Sequence, residues 1–159
     1  MVAAALFVTQ PAMGEPMVGE FDIPDVLPLT EAQVVALRGE VTRDASAAGL
    51  AAEVAREAEA ILPAEPTPLR VIHYEGLVNT DPRRIATVER LRQMGDVAWL
   101  VRHWQASGDP RCVEALTAIV VAWVDTYEID GNDVNENKLF PMLVAYEALR
   151  DGFAPDERD

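Results

Sequence analysis

Two apolar stripes wind around one stretch of the chain, Asp109 to Tyr127, and restrict the fold more than any other feature. Val113, Leu116, Val120 and Val124 recur at helical spacing on one side, and Cys112, Ala115, Ile119 and Trp123 on another. A helix apolar nearly all round has no face to offer water, so it belongs inside a larger helical assembly. Its start is written as Asp109-Pro110. The aspartate can accept a free amide of the first turn, and proline at the first helical position lacks only a donor that the helix would leave unused. Asp81-Pro82 repeats the device upstream, and beyond these two caps no internal repeat is visible.

The flanking segments are amphipathic helices divided by clear stops. Thr30 and Gln33 form a capping box, and Val34, Val35, Leu37, Arg38 and Val41 carry a helix to about Ser46. A second runs from about Gly49 to Leu62 with Leu50, Val54, Ala58 and Ile61 on one stripe, and Pro63, Pro66 and Pro68 end it. From Leu69 to Asp81, Val71, Ile72, Tyr74, Leu77 and Val78 would suit a short strand, but Gly76, Asn79 and Asp81 favour an ordered loop lying over the helices. A third helix follows Asp81-Pro82 to about Met94, Gly95 breaks it, and Asp96 opens a fourth with Val97, Leu100, Val101 and Trp104 in register, ending at Ser107-Gly108. After the stretch to Tyr127, an asparagine-rich loop with Asn135 as N-cap leads into a sixth helix from about Glu136, and Pro141 should kink it. The fold class is all-α, with antiparallel helical hairpins in inner and outer layers.

A chain of 159 residues, half of them apolar, holds one domain with a sizeable core. Its expected limits are 29–153, after an N-terminal arm over 1–28 and before a charged tail over 154–159. The net charge of −14 excludes nucleic acid and an anionic membrane as partners, because phosphate would be repelled. Arg70 to Arg111 is nonetheless locally +2, so an anionic ligand favours this middle segment. The single cysteine, Cys112, precludes an internal disulfide and fits as a small core residue. No stretch reaches the ~18 apolar residues of a membrane span. Met1 to Gly14 has a short apolar core and small residues at Ala12 and Gly14, resembling the end of a signal peptide without a basic start. A clipped signal, a wrong start and a plain tail all remain open readings, and the first points to a periplasmic or secreted protein.

Asn-Glu-x-Lys-Leu-x-Pro-x-x-x-Ala-Tyr over Asn135 to Tyr146, together with Ala122-Trp123, Tyr127, Gly131-Asn132 and Tyr74-Glu75-Gly76, resembles the alginate lyase family of polysaccharide lyases. The likeness spans roughly Leu27 to Phe153. It implies an (α/α) toroid carrying a substrate groove, and β-elimination of an acidic, uronate-containing polysaccharide such as alginate. At about 25 to 30 residues per hairpin such a toroid needs roughly twice this length. The chain is therefore expected to be an N-terminal half, inactive in isolation. The family's signature of adjacent asparagines before a histidine is not found in the sequence.

β-Elimination on a uronate removes the C5 proton beside the carboxylate, so it needs groups that neutralise that carboxylate and a base and acid. Tyr74, in the loop that the resemblance makes a groove cover, and His73 beside it are the catalytic candidates. Trp99 and His103 on one helical face, Arg83 at a helix start, and Asn135, Asn137 and Lys138 are the substrate-binding candidates. Each also has an ordinary structural reading: a packed aromatic, a helix cap, a solvated surface. Asn135 as a cap and Asn132 in a left-handed turn after Gly131 are the favoured readings for those two. An EF-hand reading of Asp125 to Asn137 fails, since Gly131 at position 6 puts Thr126 and Asn137 where acids are required. No metal and no cofactor is expected. The rival functions are a non-catalytic helical glycan-binding module and a scaffold without a ligand, and a half-toroid should also self-associate through exposed apolar helix faces.

Overall fold

The computed structural model describes residues 26–150, and among them there are helices and loops but no strand. The helices are α1 (Glu31–Arg43), α2 (Ala45–Ile61), α3 (Pro82–Leu91), α4 (Gln93–Ser107), α5 (Pro110–Thr126), the short α6 (Asp133–Glu136), and, after a 3-10 turn over Asn137–Leu139, α7 (Phe140–Leu149). Apart from Val26 to Pro28, the expected arm lies outside the described residues, as do the tail and the last residues of the expected sixth helix.

The caps form where the sequence places them. The Thr30 side chain accepts from the Gln33 amide while Gln33 accepts in return from the Thr30 amide at 2.9 Å. Asp81 and Asp109 each cap a helix with proline behind them, accepting from the amides of Arg83 and Arg111.

Three boundaries differ from expectation. The first two helices meet at Asp44, which ends α1 and caps α2 by accepting from the Ala47 amide at 2.8 Å, so Gly49 lies inside a helix. The break after α3 falls at Arg92 rather than Gly95, because Gly95 keeps right-handed backbone and belongs to α4. Pro141 does not kink a helix but starts one, in the first turn of α7, where no earlier carbonyl needs its missing donor.

α4 is the hub, packing against α1, α2, α3, α5 and α7. Met94, Val97, Ala98, Leu100 and Val101 along it are all 0% exposed. The helix expected to lack a polar face, α5, lies beside it and in fact has an outer side, with Arg111, Glu114 and Asp125 exposed and Val124 68% exposed. The innermost helix is thus one with polar side chains, because those side chains satisfy buried backbone groups.

Gln93, 4% exposed at the start of α4, shows how. Its Oε1 accepts from the Trp123 indole at 2.9 Å and from the Thr67 amide at 2.9 Å, and its Nε2 donates to the Glu65 carbonyl at 3.1 Å. One amide therefore ties the proline-rich link after α2 to α4 and to the end of α5. At the other end of α4, Gln105 donates to the Leu27 carbonyl at 2.9 Å. There Arg38 donates to the carbonyls of Trp104 at 2.9 Å and Gln105 at 3.2 Å, supplying positive charge at a helix C-terminus. Gly108 closes α4 with φ +78°, a conformation in which a β-carbon is strained and would also meet Arg38 Cζ at 3.1 Å. With Gln93 beside Trp123, and His103 beside Asp109 and Cys112, α4 and α5 run antiparallel.

Replacing Gln93 with leucine preserves apolar bulk but strands the indole and Thr67 donors. Each buried donor left unpaired costs about 1–3 kcal/mol. We expect Gln93→Leu to lower the urea midpoint by several tenths molar or more with an unchanged slope; an unaltered midpoint would show that the bonds are not needed.

Candidate functional site

The loop from Leu69 to Gly76 is drawn onto the core by Ile72, which is 0% exposed, and its polar neighbours then meet a second loop some 60 positions later in sequence. The Glu128 amide donates to the Arg70 carbonyl at 2.8 Å, and the Arg70 guanidinium pairs with the Glu128 carboxylate at 2.6 Å. The Tyr74 hydroxyl donates to the Val134 carbonyl at 3.1 Å, and the Glu75 amide donates to Asn135 Oδ1 at 3.3 Å. Asn132 Nδ2 donates to the Glu75 carboxylate at 2.8 Å. From beneath, Arg84 donates to the Tyr74 carbonyl at 3.0 Å and lies 5.4 Å from the centre of the Tyr74 ring.

The second loop is shaped by its own acids and amides. Gly131 takes the left-handed conformation, φ +76°, and Asn132 Oδ1 then accepts from the amides of Val134 and Asn135 at 3.1 and 3.3 Å. The cap of this turn is therefore Asn132, not Asn135, and the left-handed residue is Gly131, not Asn132. Asn132 stands one position before the first helical residue, Asp133, where its short side chain reaches the free amides. Glu136 accepts from the Tyr127 hydroxyl at 2.8 Å and from the amides of Asp130 and Gly131 at 3.1 and 3.3 Å. Burial, and then the bond to Glu136, push the Tyr127 phenol well above its ordinary pKa, so it stays a donor.

Asn135 is 1% exposed and is the clamp between the loops. Its Oδ1 is used, whereas its Nδ2 is buried without a hydrogen-bond partner among the described residues. Such a group is rare in a folded protein, because an unmet buried donor costs as much as a broken hydrogen bond.

Of the residues singled out in the sequence, the structure brings Tyr74 and Asn135 together. His73 is exposed beside them, with its carbonyl accepting from Thr87 Oγ1 at 3.4 Å. Asn137 is exposed and Lys138 half-buried on the 3-10 turn that follows. Arg83 has folded back onto its own cap residue, with Nε and Nη2 3.1 and 2.8 Å from the two Asp81 carboxylate oxygens. Arg111 does the same at Asp109, which accounts for a cation at each helix start: it belongs to the cap. Trp99 is half-buried midway along α4 with the Arg102 guanidinium 5.2 Å from its ring centre. His103 is only 7% exposed and lies ten positions beyond Gln93, about 15 Å along α4, so it does not join the loop cluster.

His103 meets other partners. Its Nε2 lies 3.5 Å from Asp109 Oδ2, and these atoms and Cys112 Sγ all fall within 4.8 Å of one another. Among the described residues this trio is the arrangement of His, Cys and carboxylate groups able to hold a metal ion. Its sequence trace is His103-x5-Asp109-x2-Cys112: cap and cysteine three apart share a side of the first turn, and the histidine precedes the Gly108 reversal. Burial pushes the Cys112 thiol up to about 11, so it is uncharged near neutrality.

No helix among the described residues is long and apolar enough to cross a membrane. Comparison with family models, curated proteins and solved structures finds no match to this chain.

The folded-back arginine makes the Asp81 cap acid-resistant. Hydrogen bonds from Arg83 hold the carboxyl at about 2, below its ordinary 3.8. A lowered folded pKa contributes stability above the unfolded value and loses it as pH falls through the folded one. We expect Asp81→Asn to flatten the fall of melting temperature between pH 4 and pH 2; an unchanged acid limb would mean that the pair contributes nothing there.

Proposed function

We propose that this chain is a helical carbohydrate-active domain of polysaccharide-lyase type. Its ligand is an acidic, uronate-containing polymer held at the loop cluster, and its reaction is β-elimination. The observation that carries this reading is the meeting of Tyr74 and Glu75 with Val134 and Asn135 across some 60 positions, where the buried Asn135 Nδ2 has no hydrogen-bond partner among the described residues. Neutralising a uronate carboxylate calls for a neutral amide or a cation, and Asn135 Nδ2, once the loops part to uncover it, and Arg84 would supply them. Tyr74 serves as base or acid once its hydroxyl exchanges the Val134 carbonyl for the sugar, with His73 next in line. The antiparallel pair α4 and α5 fits helical hairpins of an (α/α) toroid. Val124, Phe140 and Leu143, 68%, 52% and 63% exposed, are apolar surface that further helices or a second copy would cover. An enzyme of this kind works in the periplasm or outside the cell.

One observation favours a second reading. The carboxylates of Glu75, Glu128, Asp130 and Glu136 surround the cluster and would repel a polyanion. They suit a neutral glycan and a module that binds without chemistry.

Mixing the protein with alginate and other uronate polymers, and with neutral glucans, separates the two. The first reading expects a uronate polymer such as alginate to bind, at least tenfold more weakly to Tyr74→Phe, whether or not this chain alone releases the unsaturated uronate that ultraviolet absorbance detects. No binding of any uronate polymer, with binding of a neutral glycan that Asn135→Ala weakens, would replace it with the second.

A further inference from the structure

We propose that His103, Asp109 and Cys112 form a binding site for a single zinc ion at the junction of α4 and α5. This is independent of the glycan reading, since the trio lies at the far end of α4 from the loop cluster.

The spacing of the ligand atoms is the first support. His103 Nε2 and Asp109 Oδ2 are 3.5 Å apart, longer than a good hydrogen bond. In a tetrahedral zinc site with bonds of about 2.0–2.1 Å, adjacent nitrogen and oxygen ligands stand about 3.3 Å apart. The widest separation within the trio, up to 4.8 Å, needs to close by only about 1 Å, within reach of a cysteine side-chain rotation.

The donor set is the second. Thiolate, imidazole and carboxylate together match zinc better than calcium or magnesium, which take oxygen. All three come from rigid positions: His103 from the last turns of α4, Asp109 from the cap and Cys112 from the first turn of α5. Asp109 is oriented by the Arg111 amide, which bonds Oδ1 at 2.9 Å, and by the Arg111 guanidinium, which bonds Oδ2 itself at 2.6 Å and leaves that oxygen a second lone pair for the metal.

Charge is the third. Arg111 also pairs with Glu59, so two carboxylates face one guanidinium and negative charge is in excess beside the trio. Zinc adds two positive charges, and Cys112 releases one proton to solvent as it becomes thiolate, which offsets that excess. The fourth position falls to water.

Cobalt(II), which takes zinc's place with visible absorption, is the direct probe. Titrating the metal-free protein should give one equivalent of binding, a near-ultraviolet thiolate-to-cobalt band and tetrahedral visible bands, all displaced by zinc. Zinc should release close to one proton per chain at neutral pH and raise the melting temperature. Cys112→Ser should lose the thiolate band and the proton release, and His103→Asn should weaken zinc binding at least tenfold, with helical circular dichroism retained in both. The proposal is overturned if zinc neither binds nor shifts the wild-type melting temperature. It is equally overturned if His103→Asn binds as tightly as wild type; that comparison and the wild-type titration stand even where Cys112→Ser does not fold.

Discussion

The Gln93 side chain joins three segments of the chain at one buried junction. Its oxygen takes the Trp123 indole and the Thr67 amide, and its nitrogen reaches the Glu65 carbonyl. Both chain segments that meet at the candidate site leave from this amide. One runs from Thr67 through the buried Ile72 to Tyr74 and Glu75. The other runs from Trp123 to Tyr127, with ring centres 6.3 Å apart, and on through the Tyr127–Glu136 bond to Asn135. A fully satisfied polar group in a dry core fixes one arrangement of its neighbours, because every alternative leaves a buried donor unmet. The meeting of the two loops is therefore a consequence of core structure rather than of surface contacts alone.

The two ends of the α4–α5 pair divide the protein's chemistry. At the Gln93 end lie neutral amides, a phenol, Arg84 and a ring of acids, the surface for which we propose a glycan ligand. At the Gly108 end lie a buried histidine, a buried thiol and a capped aspartate, a set suited to a soft or borderline cation. About 15 Å of helix separates them, so the two could act without sharing a residue.

Local signals were legible in the sequence and distant ones were not. Thr30 with Gln33, and the two Asp-Pro caps, depend on residues within one turn of each other, and all three formed as expected. Asn135 was misread because Asn132, three positions earlier, is equally able to cap. What separates them is Glu75, whose amide claims Asn135 from 60 positions away. Arg83 is a substrate-binding candidate in the sequence because the reach of its side chain back to Asp81 cannot be seen there. The central place of α4 was hidden by Gln93 and Gln105, which count as polar in any periodicity but are buried here with their bonds made. Among the candidate site residues, Tyr74 and Asn135 could be named in advance. Their partners Arg84, Asn132 and Glu136, and the neighbourhood of Cys112, required the tertiary fold.

Hydrogen exchange at the Glu75 amide tests this dependence most directly, since that amide bonds to Asn135 at the meeting point of the two loops. The amide should be protected in the native protein, and Gln93→Ala should remove much of its protection along with that of the Trp123 indole. Free exchange at Glu75 in the wild type, or protection that Gln93→Ala leaves intact, would contradict the claim that the site is built outward from Gln93.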